Sequence, residues 1–400
     1  MRILVLCSRV PYPLHDGGNL AVSNLMEGLL DAGIRLSMLA MNTIRHQVNP
    51  QKLPPIFQRL ATFKTVAVDN SIKPLAALRS LVSGTSYNLE RFITAAFEAE
   101  LTSLLQVNQY DIILLEGLYV TPYLPVIRKH SRAKVCYRQH NVEFQIWERL
   151  ARNSTHFLKR FYLGRLAKAL KKYELKHLND YDSIAAISPV DAEIYQALGC
   201  TIPIVEIPYS LKVKNPATNM AATPAIPRFY HIGAMDWQPN EAAISWFLEK
   251  VWPLVIATAP EAQLFLAGRN MSAYFLEGSW PNVHIIGEVP DADAFEADKQ
   301  ILVVPLHSGG GIRIKILEAM SKQKAVIATR VAMQGFHAAA NGEEVLLADK
   351  PADFAAACLA LIKDPGQVQQ LGTKAQKLIQ TYYNQQLVIN KLLQHFNTLL

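Results

Sequence analysis

The residues best suited to chemistry stand in one short run. An apolar stretch, Ile301 to Leu306, leads into His307-Ser308-Gly309-Gly310-Gly311, and a helical pattern follows from Ile312 to Met320. Three consecutive glycines put no side chain in the way of a ligand and reach backbone angles closed to other residues. A helix start offers free N–H groups and the positive end of a dipole, which together suit a diphosphate. Arg313 and Lys315 add formal charge at that point. Two residues apart on a regular helix, they would point in different directions, so one of them is expected to serve packing or the surface. Glu318 follows on the same helix, where a carboxylate can accept hydrogen bonds from ribose or sugar hydroxyls. The plainer readings are a turn that only reverses the chain and an exposed helix charge at Glu318. The run matches neither GxxxxGK[ST] nor GxGxxG, which argues against a P-loop or an ordinary dinucleotide site.

A second set of candidates lies in the first half. Gly17 and Gly18 follow the first apolar run and open a helix. They let a ligand approach the backbone closely, or they make a plain strand-to-helix turn. His140 follows the run Lys134–Tyr137 and stands beyond a strand end, where ligands bind in open α/β sheets. Asn141 suits the N-cap of a helix from Val142 to Leu150. Arg138 and Glu143 are lesser candidates. Glu116, after the run Asp111–Leu115, reads first as a solvated loop acid and second as an acceptor contact.

The elements that must position these residues are short apolar runs alternating with amphipathic helical runs, the pattern of parallel sheets flanked by helices. In the first half the expected strands are Ile3–Cys7, Leu36–Met41, Lys64–Val68, Asp111–Leu115, Lys134–Tyr137, Ser183–Ile187 and Ile204–Ile207. A helix from Asn19 to Leu30 stops at Asp31-Ala32-Gly33. Pro208 to Pro227, rich in Ala, Pro, Thr and Asn, reads as a linker. A second series of strands follows at Phe229–Ile232, Gln263–Ala267, Val283–Ile286, Ile301–Pro305, Ala325–Thr329 and Val345–Leu347. Helices are expected over Glu241–Ala257, Ile314–Ser321, Pro351–Lys363 and Gln367–Tyr382. The segment Gln385 to Leu400 gives a helix with one apolar face. We therefore expect α/β domains at 1–208 and 209–384, with 385–400 packing back on the first and a cleft between the strand ends of the two sheets.

At 400 residues the chain suits two domains. Its net charge of +7 and pI near 9.1 favour anionic partners without choosing among them. The four cysteines form no CxxC pair, so neither a zinc site nor a disulfide framework is suggested. The opening run Met1–Val10 reads as a strand more than a signal peptide, and no stretch reaches the roughly 18 apolar residues of a membrane span. From Phe157 to His177, seven lysines or arginines stand against one glutamate, and Leu158, Tyr162, Leu166, Leu170 and Tyr173 recur at helical spacing. That is either a core-packed helix with a solvated face, the favoured reading, or a helix resting on an anionic membrane.

The segment Pro305–Thr329, with GGGIRIKILEAMSKQKAVIAT at its heart, resembles the donor-binding segment of the retaining GT-B glycosyltransferases of family four. Weaker matches, in the family's order, are Asp16-Gly17-Gly18, Arg138-Gln139-His140-Asn141, the Ser188-Pro189 turn, and the turns at Gly233 and Gly268. The resemblance implies a GT-B architecture of two Rossmann-like domains facing a cleft. It implies transfer of a sugar from a nucleotide-diphosphate sugar to a glycan or lipid-linked acceptor, with retention of configuration, as in cell-surface polysaccharide biosynthesis. Donor-binding residues would be Gly17, Gly18, Ser308, Gly309, Gly310, Gly311, Arg313, Lys315 and Glu318; His140 would contact the transferred sugar, making it and Glu318 the catalytic pair. The sequence departs from the family where Gly310 takes the place of the first glutamate of E-x7-E. It departs again where Asp236-Trp237-Gln238-Pro239-Asn240 replaces an Arg and a Lys that serve the diphosphate; Arg313 and Lys315 are the expected substitutes. No metal or other cofactor is expected, since Asp291-Ala292-Asp293, which has DxD spacing, lies at an apparent helix start. No nucleic-acid partner is expected, and the location would be cytoplasmic, with peripheral contact to the inner membrane face through 157–177 as an option. The rival readings are a GT-B-like nucleotide-sugar epimerase and a non-catalytic protein that binds glycan or nucleic acid.

Overall fold

The computed structural model describes residues 1–14, 17–71, 73, 80, 86–212, 226–309, 311–336, 339 and 341–400. The chain forms two compact units. Unit 1 is Met1–Ser210 together with Gln385–Leu400, and unit 2 is Leu211–Asn384.

Unit 1 is built on seven parallel strands: β1 (Arg2–Cys7), β2 (Arg35–Thr43), β3 (Thr62–Val68), β4 (Ile112–Glu116), β5 (Lys134–Gln139), β6 (Ser183–Ala186) and β7 (Ile204–Glu206). Their order is β3-β2-β1-β4-β5-β6-β7, so the winding reverses between β1 and β4. The strands are near-continuous apolar runs because helices cover both faces of such a sheet. Alternation divides β1 between two cores. Leu4 and Leu6 pack with Leu170 and Tyr195 on one face. Ile3, Val5 and Cys7 pack on the other with Val388, Ile389, Leu392 and Phe396 of the carboxy-terminal helix, Gln385–Leu399. That helix is tied to the Gly17–Asp31 helix by Gln385 Nε2 donating to the Asn24 carbonyl at 2.7 Å.

Unit 2 carries six parallel strands: β8 (Phe229–Ile232), β9 (Leu264–Ala267), β10 (Val283–Gly287), β11 (Ile301–Val304), β12 (Ala325–Ala328) and β13 (Leu346–Leu347). The order β10-β9-β8-β11-β12-β13 reverses between β8 and β11. Its core sets Phe229, Leu264, Ile301 and Ile327 against Phe247, Trp252, Phe354 and Leu371. The single helix expected over Glu241–Ala257 is in fact three pieces: Gln238–Trp246, a π turn at Phe247–Val251, and Trp252–Thr258. Pro253 has no N–H to continue the ladder and crowds the preceding turn, and the widened turn accommodates it.

The basic segment forms a helix, Phe157–Lys176. Its buried residues are Leu163, Leu166, Ala167, Leu170 and Glu174. Leu166 and Leu170 of the apolar stripe read from the sequence thus face the interior, whereas Leu158 is 59% exposed. No helix among the described residues is long and apolar enough to cross a membrane.

Candidate functional site

In an open parallel sheet, the loops leaving the two strands at the reversal point splay apart and leave a crevice. In unit 2 those loops follow β8 and β11. The chain leaves β11 through Ser308, which is exposed, and turns at Gly309 (φ +113°) and Gly311 (φ +77°), angles that favour glycine. A Cβ on Gly309 would stand 2.9 Å from Arg313 Nη2 and 2.9 Å from the Trp237 ring, so a side chain here would have to displace the arginine or the indole. Gly310 lies outside the described residues.

Arg313 and Lys315 do not diverge as a regular helix would require. The helix begins at Ile314, and Arg313 is its N-cap in an extended conformation (φ −86°, ψ 92°). That one residue of extended backbone turns the guanidinium back over the bend, where Nη1 donates to the Gly311 carbonyl at 2.9 Å and the group lies 5.4 Å over the Trp237 ring. Lys315, in the first turn, reaches β8 and the helix that follows it: its Nζ is 3.1 Å from His231 Nε2 and 3.2 Å from Asn240 Oδ1. A Cβ on Gly233 would stand 2.5 Å from this Nζ. Burial, and then the neighbouring Arg313 cation, bring the Lys315 pKa down to about 7. His231 is fully buried, and burial followed by the Lys315 charge holds it far below the usual histidine range. Its Nδ1–H therefore donates to the Val303 carbonyl (2.8 Å), leaving Nε2 to accept from Lys315.

His231 and Asn240 escaped the sequence reading. The available signal was a histidine inside the apolar run Phe229–Ile232, followed after a glycine turn by an asparagine. Glu318 lies one turn further along the helix and is half-buried, not an exposed helix charge. Burial pushes its carboxyl up to about 7; Lys322 opposes that shift while Glu296 and Asp293 add to it. The Asp291-Ala292-Asp293 triplet starts a helix: Asp291 Oδ1 accepts from the Asp293 and Ala294 amides, and Asp293 pairs with Lys322 at 2.6 Å.

Unit 1 has its own crevice at the β1/β4 reversal, a cavity of about 330 Å³ lined by Gly18, Glu116, Tyr119, His140 and Glu143. Glu116 is not a solvated loop acid. It is the last residue of β4, 4% exposed, and register places it beside Arg138 of β5. Arg138 Nη1 lies 3.1 and 3.3 Å from its two oxygens, and His140 Nε2 lies 2.6 Å from Oε2. Burial pushes this carboxyl up, but Arg138 and His140 outweigh it and hold Glu116 below the usual range. An ionised Glu116 can only accept, so Nε2 keeps its proton and donates, which fixes the ring.

Glu143 accepts from the Tyr119 hydroxyl at 3.1 Å, and burial pushes its carboxyl up to about 7 against hydrogen bonds from Tyr119 and Asn141. Asn141 thus bonds a side chain; the helix starts at Glu143 with Val142 as its uncapped N-cap. Behind it Glu174 accepts from the Phe144 amide (2.8 Å) and the Tyr195 hydroxyl (3.2 Å), and burial pushes it up to about 8. Gly17 is exposed at the start of its helix, and Gly18 reaches the cavity. Asp16 lies outside the described residues.

Residues 226–364 match the family model described as glycosyl transferases group 1. Over 405 residues, covering 98% of each chain, the sequence is 22% identical to a Klebsiella pneumoniae protein described as "Uncharacterized 44.6 kDa protein in cps region". Among solved structures, sucrose-phosphate synthase from Thermosynechococcus elongatus matches with a TM-score of 0.68 and 17% identity, covering 100% of this chain and 99% of that one. Anabaena HepE, solved with UDP and glucose, matches at 0.64 and 12% identity, covering 99% of each. A variant of S. aureus TarM, solved with fondaparinux, α-GlcNAc-glycerol and UDP, matches at 0.67 and 12%, covering 99% and 100%. The likeness to these structures is one of fold, two parallel-sheet α/β domains of GT-B type. Together with the family model it supports a glycosyltransferase.

Proposed function

We propose that this chain is a retaining glycosyltransferase that moves a sugar from a nucleotide-diphosphate sugar to a glycan or lipid-linked acceptor in cell-surface polysaccharide biosynthesis. One observation carries the reading: at the β8/β11 reversal Arg313 lies over the glycine bend that precedes the helix, and Lys315 of that helix lies against the Gly233 turn after β8. The hydrogen-bond partners of Lys315, an imidazole and a side-chain amide, are uncharged. Departure of a sugar from its nucleotide builds negative charge on a diphosphate, and fixed cations beside free N–H groups stabilise it without reorganisation. No metal is needed in this scheme.

In unit 1, His140, oriented by Glu116, supplies a ring nitrogen for a sugar hydroxyl. Glu318 would accept ribose or sugar hydroxyls. With Glu318 read as an acceptor of hydroxyl hydrogen bonds and not as a nucleophile, front-side substitution, in which the leaving phosphate helps take the acceptor proton, is favoured over double displacement. The fold neighbours solved with UDP, and the relative in a cps region, support the donor class and the polysaccharide setting.

The test is thermal-shift screening with UDP, GDP, ADP and their sugars, followed by transfer assays with a labelled form of the donor that stabilises. One nucleotide series should raise the midpoint in the wild type and fail to do so in Arg313→Ala and Lys315→Ala. Equal stabilisation of wild type and both variants would reject the site.

A further inference from the structure

We propose that the outward face of the Phe157–Lys176 helix docks on an anionic lipid surface, with Phe157, Leu158 and Phe161 inserting and the basic stripe behind them lying over the headgroups. The inference does not rest on the activity proposed above. Of the apolar stripe read from the sequence, Leu158 belongs to this face, whereas Leu166 and Leu170 pack inward.

The buried side of the helix is made by Leu163, Leu166, Ala167, Leu170 and Glu174. At 100° per residue, the opposite side is the row 157, 161, 165, 168, 172 and 176, spaced by threes and fours. In this chain that row reads Phe157, Phe161, Arg165, Lys168, Lys172 and Lys176, all exposed. Phe157 is 73% exposed, Phe161 66% and Leu158 59%. Three large apolar side chains clustered at one helix end are costly to leave in water and mark a docking surface.

Charge decides the occupant. Lys159 and Arg160 are also exposed at the apolar end. Glu174, the helix's one acidic residue, is turned inward, bonded to the Phe144 amide and the Tyr195 hydroxyl. The outward face therefore offers cations and apolar groups with no carboxylate of its own helix. A soluble acidic partner would answer the cations, but the apolar end beside them calls for a hydrocarbon surface as well. An anionic bilayer needs only this combination: an apolar wedge for the acyl boundary, and lysines and arginines whose stems lie along the surface while their heads reach phosphate.

The experiment uses the full chain and sedimentation with vesicles of phosphatidylcholine alone or with one part in three phosphatidylglycerol. We expect binding to the anionic vesicles that is at least about tenfold tighter than to the neutral ones and that weakens with salt. Phe157→Ser with Phe161→Ser should weaken it by about tenfold or more, and Lys168→Glu with Lys172→Glu by a similar factor. All four side chains are solvent-exposed, so the thermal midpoints should stay at the wild-type value, and donor-induced stabilisation read on unit 2 should be unchanged. Equal binding to both vesicles, no binding to either, or binding that both double variants retain would overturn the proposal. So would analytical ultracentrifugation showing that the wild type self-associates and the Phe double variant does not, since a second copy would then be the occupant.

Discussion

The two sheets reverse their winding once each, between β1 and β4 and between β8 and β11, the points at which open parallel sheets bind ligands. What stands at the two reversals differs. In unit 1 the central charge is already answered from within: Glu116 is bonded by Arg138 and by His140. In unit 2 the hydrogen-bond partners of Lys315 are both neutral, and burial has drawn its pKa to about 7. A closed ion pair fixes geometry and orients a neighbouring ring. A cation kept among neutral partners leaves its charge for an anion still to arrive. Topology thus sets where both sites lie, and the residues next to the strand ends set what each can do.

The contrast is most severely tested by removing the internal counter-charge. Glu116→Ala leaves the Arg138 guanidinium, 1% exposed, without its carboxylate, and should cost about 3–5 kcal/mol of stability in denaturant unfolding. A loss within experimental scatter would mean that the pair does not organise unit 1. Next, Lys315→Ala should lower turnover about 10²–10³-fold, the usual cost of one fixed donor to a developing anion, with steady-state kinetics as the readout. If unit 2 holds the diphosphate, nucleotide affinity should fall as well.

His140→Ala should lower kcat by about 10²-fold while leaving the rise in melting temperature induced by the nucleoside diphosphate without its sugar intact. A variant that lost this nucleotide stabilisation instead would assign His140 to the diphosphate and blur the distinction between the two units. The smallest expected effect is the pH dependence of donor affinity. Free Lys315 loses its proton near pH 7, and a bound diphosphate raises that pKa, so binding takes up a proton above pH 7. Affinity should be greatest below pH 7 and fall by up to about tenfold per unit above it. Calorimetry at pH 8 in two buffers of different protonation enthalpy would report an uptake approaching one proton, and zero uptake would remove Lys315 from the phosphate.

The existence of the thirteen strands among the described residues, the break between two α/β series, and the glycine bend feeding a helix were all legible in the residues, because strand and helix periods and turn chemistry are local properties. Local pattern could not supply pairings across the fold. Glu116 and Arg138 are 22 positions apart and meet because the β4/β5 register sets them side by side, and no periodicity within either run encodes a register. The helix over Ile314–Ser321 has the bounds read from the sequence, and the fate of Arg313 turned on its extended backbone as N-cap, which no helical period encodes. His231 became a partner of Lys315 only when β8 and β11 were laid together. Likewise the sequence dictated that Phe157–Lys176 would be an amphipathic helix. Only packing in unit 1, which took Leu166, Leu170 and Glu174 inside, decided that Phe157 and Phe161 would face water.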